Sequence, residues 1–214
     1  MVIAISKKDK LRLLQLLTRT NIIFVPIGVN VSNSEHYKLP PSKTLLFLGA
    51  LDISPNVEAL NYFLHVIFPT IIQRIPEVRL LIVGSNPSSE ILRLENERIK
   101  VLGFVENLNE VFAKTRALIF PYRLPYGSRV KVLEAMANGV PSIIFKQSIQ
   151  GMELDDAEGV FSVSTDVEFI ERTVELLIDD FLWKKSSIGV FNFSRKNFSN
   201  EVVYSALLDS IKKL

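Results

Sequence analysis

Short, mainly apolar runs recur along the chain and alternate with longer, more polar stretches. A run of four to six apolar residues is typical of a strand that is buried on both faces of a parallel sheet. Several of these runs end in glycine, which is a common point for a chain to turn from a strand into a helix. The runs predict six strands, at residues 44–49, 79–84, 99–103, 117–120, 142–145 and 160–163.

The stretches between the runs carry the helical period. Residues 55–74 have apolar positions three and four apart, although Pro69 predicts a kink or break there. Residues 167–178 form an amphipathic pattern of the same kind. Shorter helical patterns cover residues 88–95, 108–114, 181–188 and 200–214. This alternation predicts an α/β fold with a doubly wound, Rossmann-like parallel sheet.

The first thirty residues have their own pattern of strand, helix and strand. Residues 2–5 and 22–26 predict short strands, and Ser6 with Asp9 predicts the capped start of a helix that ends near Thr18. Residues 32–42 are polar and contain Pro40 and Pro41, so they predict a linker.

The stretch from 117 to 141 carries the strongest candidate chemistry. After the strand 117–120 comes a loop, and then a helix that Ser128 would cap and Gly139 would end. This helix is apolar on nearly every side, yet Lys131 and Glu134 lie three residues apart and so share one face. Buried charges need partners, and cations beside a helix N-terminus predict an anion site. The alternative is an ion pair between Lys131 and Glu134 where the helix meets water.

The same residues resemble a known family. Gly127-Ser128-Arg129, the run from Lys131 to Ala137, and Gly139-Val140-Pro141 look like the nucleotide-sugar-binding segment of retaining, family-4-type glycosyltransferases. The resemblance runs from about Ser6 onward, and it implies the C-terminal half of the two-domain GT-B architecture. It divides the chain into 1–30 as a remnant of the N-terminal acceptor domain, 31–43 as a linker, 44–198 as the nucleotide-sugar-binding domain, and 199–214 as a helix that packs back on the missing domain.

The resemblance also implies roles for single residues. Arg129, Lys131 and the backbone amides of residues 128–130 would bind the diphosphate, and Glu134 would bind the ribose diol. The base would lie against Phe104 and Val105, for which packing in the core is the alternative, and the strand-ending glycines are equally suited to tight turns. The expected substrate-binding residues are Gly49, Phe104, Val105, Gly127, Ser128, Arg129, Val130, Lys131 and Glu134, and we assign no catalytic residue.

The sequence departs from the family pattern at Tyr126, where relatives carry the first glutamate of a conserved pair. We therefore expect a donor-binding domain of a retaining, hexosyl-transferring enzyme that is incomplete as this chain alone. The alternative is a non-catalytic nucleotide-binding or scaffolding module of the same fold. A third reading, a nucleotide-sugar epimerase or a phosphorylase relative, ranks last. A phosphorylase needs a lysine that holds pyridoxal phosphate, which no segment indicates, and an epimerase would normally need two complete domains.

Composition narrows the remaining choices. The chain has 214 residues, a net charge of +2 and no cysteine, and no charge run indicates a nucleic-acid partner. His36 and His65 lie far apart, so we expect no metal and no cofactor beyond the donor. No apolar stretch reaches the roughly 18 residues that a bilayer span needs. We expect a cytoplasmic protein, attached to a membrane at most peripherally, whose partners are a nucleotide sugar, an acceptor domain or partner chain, and a second copy of itself.

Overall fold

The computed structural model describes residues 1–18, 20–31, 38–124, 130–152, 154 and 156–212. Its first part is a small unit in which β1 (Val2–Ala4) pairs in parallel with β2 (Ile22–Phe24). Helix α1 (Lys7–Leu16) connects the two strands. The Ser6 hydroxyl oxygen accepts a hydrogen bond from the Asp9 backbone N–H at 3.0 Å, and the hydroxyl donates to the Asp9 carboxylate at 2.7 Å. The predicted cap is confirmed.

The main sheet has six parallel strands in the order β5-β4-β3-β6-β7-β8. The order places β3 beside β6, so the chain builds outward on one side and then reverses to the other. That reversal between β3 and β6 is a topological switch point, beyond which open α/β sheets bind their ligands. The predicted doubly wound sheet is confirmed. Its strands are β3 (Thr44–Leu48), β4 (Arg79–Val83), β5 (Ile99–Gly103), β6 (Ala117–Phe120), β7 (Ser142–Phe145) and β8 (Val160–Val163).

Helices cover the sheet and complete a single hydrophobic core. All residues of β3, β6 and β7 are buried, as their continuous apolar sequences require. The helices beyond α1 are α2 (Ser54–Tyr62), α3 (Phe68–Arg74), α4 (Ser89–Leu92), α5 (Asn109–Phe112), α6 (Val130–Ala137), α7 (Asp166–Ile178), α8 (Asp180–Phe198) and α9 (Asn200–Lys212).

The helix through Pro69 differs from the predicted kink or break. A π-helical segment, Phe63–Ile67, joins α2 to α3, and the Phe68 N–H donates to the carbonyl of Phe63. Proline has no N–H to donate and its ring displaces the carbonyl four residues before it. The wider π turn accommodates that ring, so the helix continues through Pro69.

Helix α8 is longer than the sequence predicts. The expected helix covers 181–188, whereas α8 continues to Phe198. Gly189 lies within it, and a Cβ at that position would approach the Glu158 carbonyl oxygen to 2.5 Å. Glycine here permits close packing against a neighbouring loop and does not end the helix. Beyond α8, the Val29 backbone N–H donates to Phe198 at 2.8 Å and its carbonyl accepts from Asn200 at 3.1 Å.

Candidate functional site

The loops that follow β3 and β6 flank the switch point and are tied together there. The Asn56 side chain is buried, donates to the Ala50 carbonyl at 2.8 Å and accepts from the Tyr122 hydroxyl at 2.8 Å. Burial raises the pKa of Tyr122, so the phenol stays protonated as the donor. A Cβ at Gly84 would lie 1.6 Å from the Gly49 carbonyl oxygen, so only glycine fits where these backbones meet.

Helix α6 brings Lys131 and Glu134 to this edge of the sheet. Most of the helix packs into the core, and its buried residues are Val132, Leu133, Ala135, Met136 and Ala137. Lys131 and Glu134 are half-buried on the side that remains open. The shared face predicted from their spacing is therefore present.

Both charges are held in an environment that disfavours them. Burial lowers the pKa of Lys131, which the nearby Glu134 carboxylate partly offsets. Burial likewise raises the pKa of Glu134, and Lys131 partly offsets that shift. Within the described part of the chain, no hydrogen bond or ion pair within 4.0 Å joins the two side chains. The expected alternative, an ion pair between Lys131 and Glu134, is not formed.

A cavity of about 650 Å³ adjoins the start of α6. Val130 and Leu133 of α6 line one side, and the N-terminal unit lines the other with Lys8 and Arg12 among its residues. Gly151, in the left-handed region at φ 84°, forms part of the rim. Pockets of 300–1,000 Å³ are typical of small-molecule sites.

The other predicted site residues occupy different positions. Gly49 is buried and its N–H donates to the Val83 carbonyl at 2.9 Å, which continues the pairing of β3 with β4. Phe104 is 76% exposed, which rules out core packing for it, whereas Val105 packs partly against the core. Gly127, Ser128 and Arg129, with Tyr126, lie outside the described residues.

Sequence reasoning missed a second polar cluster at the same edge. Arg123, three residues after the end of β6, donates to the Asp166 carboxylate at 2.5 Å and to the Tyr62 hydroxyl, and Tyr62 donates to Asp166 at 2.6 Å. The available signal was the position of Arg123 directly beyond a buried strand. Its partners are 61 and 43 residues away in sequence, and no local pattern joins them.

Two features are absent from the residues that the structure describes. No three His, Asp or Glu side chains there are grouped so as to hold a metal ion. No helix in the same residues combines the length and the apolar character that a membrane crossing needs.

A family model for group 1 glycosyl transferases matches residues 42–180, about two thirds of the chain. The chain belongs to this family. The match covers all six strands of the main sheet, together with Lys131 and Glu134. The resemblance to the C-terminal domain of GT-B glycosyltransferases is therefore confirmed.

This group 1 glycosyltransferase is similar to the processive diacylglycerol beta-glucosyltransferase of Bacillus subtilis, at 28% identity over 188 residues. That match covers 81% of the chain and 46% of the relative. The chain spans less than half the length of each of three curated relatives that it matches.

Solved structures agree with the fold. Staphylococcus aureus TarM, in a complex that includes UDP, matches with a TM-score of 0.77 and 14% identity over 97% of the chain and 43% of TarM. Anabaena HepE, in complex with UDP and glucose, matches with a TM-score of 0.74 and 16% identity over 100% of the chain and 63% of HepE. The group 1 glycosyltransferase thus has the α/β fold of these proteins.

Proposed function

We propose that the chain binds a nucleoside diphosphate sugar and serves as the donor-binding part of a hexosyl-transferring glycosyltransferase. The observation that carries this proposal is the pair Lys131 and Glu134, half-buried side by side on α6 beyond the switch point and joined by no ion pair. Leaving two charges partly desolvated is costly, and a ligand that uses both offsets that cost.

The two side chains suit two parts of such a ligand. The Lys131 ammonium is a point charge for the diphosphate, which becomes more negative as the bond to the sugar breaks. The Glu134 carboxylate has two oxygens that accept from the two hydroxyls of a ribose. The exposed ring of Phe104 offers a face on which a base can stack, and Arg129 and the amides at 127–130 would complete the diphosphate contacts by resemblance.

The relatives support the choice of nucleotide and sugar. The structures of TarM and HepE contain UDP, and the Bacillus subtilis relative is named as a glucosyltransferase. UDP and UDP-glucose are therefore the first probes for this chain. We also propose retention of the anomeric configuration, as in the family-4-type enzymes; the Bacillus subtilis relative, named as a beta-glucosyltransferase, supports the sugar and not this outcome. A β-linked product from the α-linked donor UDP-glucose would overturn that part alone.

We further propose that an acceptor domain, in the same polypeptide or in a separate chain, completes the enzyme. The N-terminal unit is a two-stranded sheet whose helix α1 has exposed Leu11, Leu14 and Leu16. An apolar surface of this kind is typical of a face that another domain or a second copy covers. A cytoplasmic location, with peripheral membrane attachment through that domain, would follow, and cell fractionation would check it.

The proposal is tested by nucleotide binding to the purified chain. UDP at 100 times its dissociation constant stabilises a protein by about 2.7 kcal/mol, which a thermal shift detects. We expect Glu134→Gln and Lys131→Met each to remove most of this shift, and added chelator to leave it unchanged. The matched controls are Glu175→Gln and Arg172→Met, because these residues have the same three-residue spacing on α7 and form an exposed ion pair at 2.6 Å. No shift with UDP or GDP at millimolar concentration would refute the assignment.

A second experiment separates an enzyme part from a binding module without catalysis. Tyr126, in place of the glutamate that relatives carry, favours the module, since a phenol does not orient a sugar as a carboxylate does. We expect no glycoside from the chain alone, because holding both reactants together contributes effective molarities of about 10⁵ M or more. Glycoside formation on addition of an acceptor-domain chain supports the enzyme, and binding without transfer under those conditions supports the module.

A further inference from the structure

Among the ion pairs of the described residues, the one between Arg123 and Asp166 has the most additional side-chain contacts, and most of them are made by the Arg123 guanidinium. One guanidinium nitrogen donates to the Asp166 carboxylate at 2.5 Å and to the Tyr62 hydroxyl. The same guanidinium carbon lies 4.5 Å from the centre of the Tyr62 ring and 4.9 Å from that of Phe145. Tyr62 in turn donates to Asp166 at 2.6 Å, which closes a ring of three hydrogen bonds. We call Arg123, Tyr62, Asp166 and Phe145 the Arg123 clamp.

The clamp fixes the segment that follows β6 to three other elements. Tyr62 is the last residue of α2, Phe145 ends β7, and Asp166 is the first residue of α7. An aspartate at that helix position also interacts favourably with the helix dipole. The described segment beyond β6 is therefore held from several sides.

Helix α2 holds this segment at two successive residues. Tyr122 points into the core and donates to Asn56, whereas Arg123 points outward and binds Tyr62. Asn56 and Tyr62 are both in α2, the helix that follows the loop after β3. Two consecutive side chains with opposite directions fix the orientation of the backbone as well as its location.

Arg123 makes more contacts than a stabilising ion pair on the surface needs. An exposed ion pair contributes about 0–1 kcal/mol, and the Arg123 and Asp166 side chains are 49% and 31% exposed. Arg74 and Glu171 provide a comparison, since they also link the α2–α3 segment to α7, at 2.7 Å and with similar exposure. That pair has one hydrogen bond and no ring contact among the described residues. The additional partners of Arg123 restrict the direction of its side chain.

We propose that Arg123 is a positioning residue for the diphosphate part of the site. Through the clamp it fixes the described segment after β6, from which the chain continues to α6 and its residues Lys131 and Glu134. Arg123 does not itself touch the ligand. This proposal rests on the proposed nucleotide-sugar binding, and it adds a residue that acts through Lys131.

The test compares UDP with uridine, which lacks the diphosphate. We expect Arg123→Met to weaken UDP binding about tenfold, within the coupling range of residues in one network, and to weaken uridine binding less, because uridine lacks the diphosphate that Lys131 would bind. Tyr62→Phe and Asp166→Asn should weaken UDP binding in the same direction. Arg123→Lys keeps the charge but lacks the planar fork, so it should restore only part of the affinity. The control is Arg74→Met, which should leave both ligands unaffected.

A double-mutant cycle distinguishes positioning from contact. If Arg123 acts through Lys131, the effect of Lys131→Met on UDP binding should be much smaller when Arg123→Met is already present. Independent, additive losses, together with wild-type UDP binding in Tyr62→Phe and Asp166→Asn, would show direct contact and overturn the proposal. Equal losses for UDP and uridine would also overturn it, since a general loss of structure affects both.

A measurement without ligand keeps the clamp testable if no nucleotide binds. Amide hydrogen exchange of a peptide that covers residues 121–131 should be faster in Arg123→Met than in the wild-type chain, and unchanged in Arg74→Met. Failure of UDP to bind the wild-type chain would reject the proposed function while this exchange result still reports on the clamp. Unchanged exchange in Arg123→Met would reject the clamp itself.

Discussion

Helices α1 and α6 are similar in length, but they differ in which side chains are exposed: α1 exposes apolar side chains, whereas α6 partly buries charged ones. None of the ten residues of α1, all of which the structure describes, is buried, and Leu11, Leu14 and Leu16 are exposed on the same helix as Lys8 and Arg12. In α6, five of eight residues are buried, and it is the charged Lys131 and Glu134 that are partly withdrawn from water.

The contrast shows two kinds of unsatisfied surface. Exposed leucines on α1 lose the favourable transfer out of water, so that surface is suited to a covering domain or copy. Half-buried charges on α6 lose hydration, so that surface is suited to a small charged ligand. Each helix therefore indicates the type of partner that its surface lacks.

The largest expected effect is on stability and tests the packing difference. Leu133→Ala in α6, where the side chain is 2% exposed, should lower the free energy of unfolding by about 2–5 kcal/mol. Leu14→Ala in α1, where the side chain is 47% exposed, should change it by about 0.5 kcal/mol or less. Urea denaturation of both variants measures the difference. Similar losses would mean that α1 is as well packed as α6.

A smaller effect is expected from the charges of α6. Lys131→Met alone leaves the Glu134 carboxylate without its neighbouring cation, and should destabilise the chain by about 1 kcal/mol, a value reduced by solvent screening. Adding Glu134→Gln should restore the stability of the wild-type chain while nucleotide binding stays lost. Chemical denaturation together with calorimetric titration separates the two readouts, and a double variant that still bound UDP would contradict the assignment.

The pH dependence of binding should sharpen the assignment further. Because the pKa of Glu134 is raised, its carboxylate is lost at a higher pH than usual as the solution is acidified, and the affinity should fall there. Because the pKa of Lys131 is lowered, its charge is lost at a lower pH than usual as the solution is made alkaline, and the affinity should fall again. UDP-glucose is the suitable probe, since its diphosphate does not titrate in this range. Lys131→Arg should move only the alkaline limb, to higher pH; an alkaline limb that stays in place would mean that Lys131 does not bind the phosphates.

The smallest effect on stability is expected on α1. Replacing Leu11, Leu14 and Leu16 by glutamine should each change the free energy of unfolding by about 0.5 kcal/mol or less. A variant that carries all three replacements should lower self-association of the chain, or its binding to an acceptor-domain chain, because the apolar surface is removed. Light scattering at high protein concentration measures this. An unchanged molecular mass in the variant, where the wild-type chain associates, would place the interface elsewhere.

The strands could be predicted because a buried strand appears in the sequence as a short run of consecutive apolar residues. The run 117–120 and the structural β6 coincide, and each of the other seven strands in the described part of the chain lies at its predicted place. Helix limits were less predictable, since they depend on tertiary contacts. The length of α8 follows from the packing of Gly189 against Glu158, and the π segment follows from the accommodation of Pro69.

The candidate site could be predicted only where it depends on local sequence. Lys131 and Glu134 share a face because of helical spacing, which the sequence contains. The pairing of Arg123 with Asp166, and of Tyr122 with Asn56, depends on which strands the fold places side by side. Only the three-dimensional arrangement of the sheet reveals it, since the partners lie 43 and 66 residues apart in the chain.

The backbone pairing of Val29 with the junction of α8 and α9 has a mechanical consequence. The α/β domain is entered just after Val29 and left just before Asn200, and two hydrogen bonds hold these points together. These hydrogen bonds form a crossing, where they join the segment that follows the N-terminal unit to the start of α9. We expect a change in the backbone at this crossing to alter the width of the 650 Å³ cavity between the unit and α6 and to leave every strand of the main sheet in place. Gly28 lies beside this crossing, where a Cβ would approach the Asn200 side-chain oxygen to 2.4 Å, so a larger residue there would have to displace that side chain.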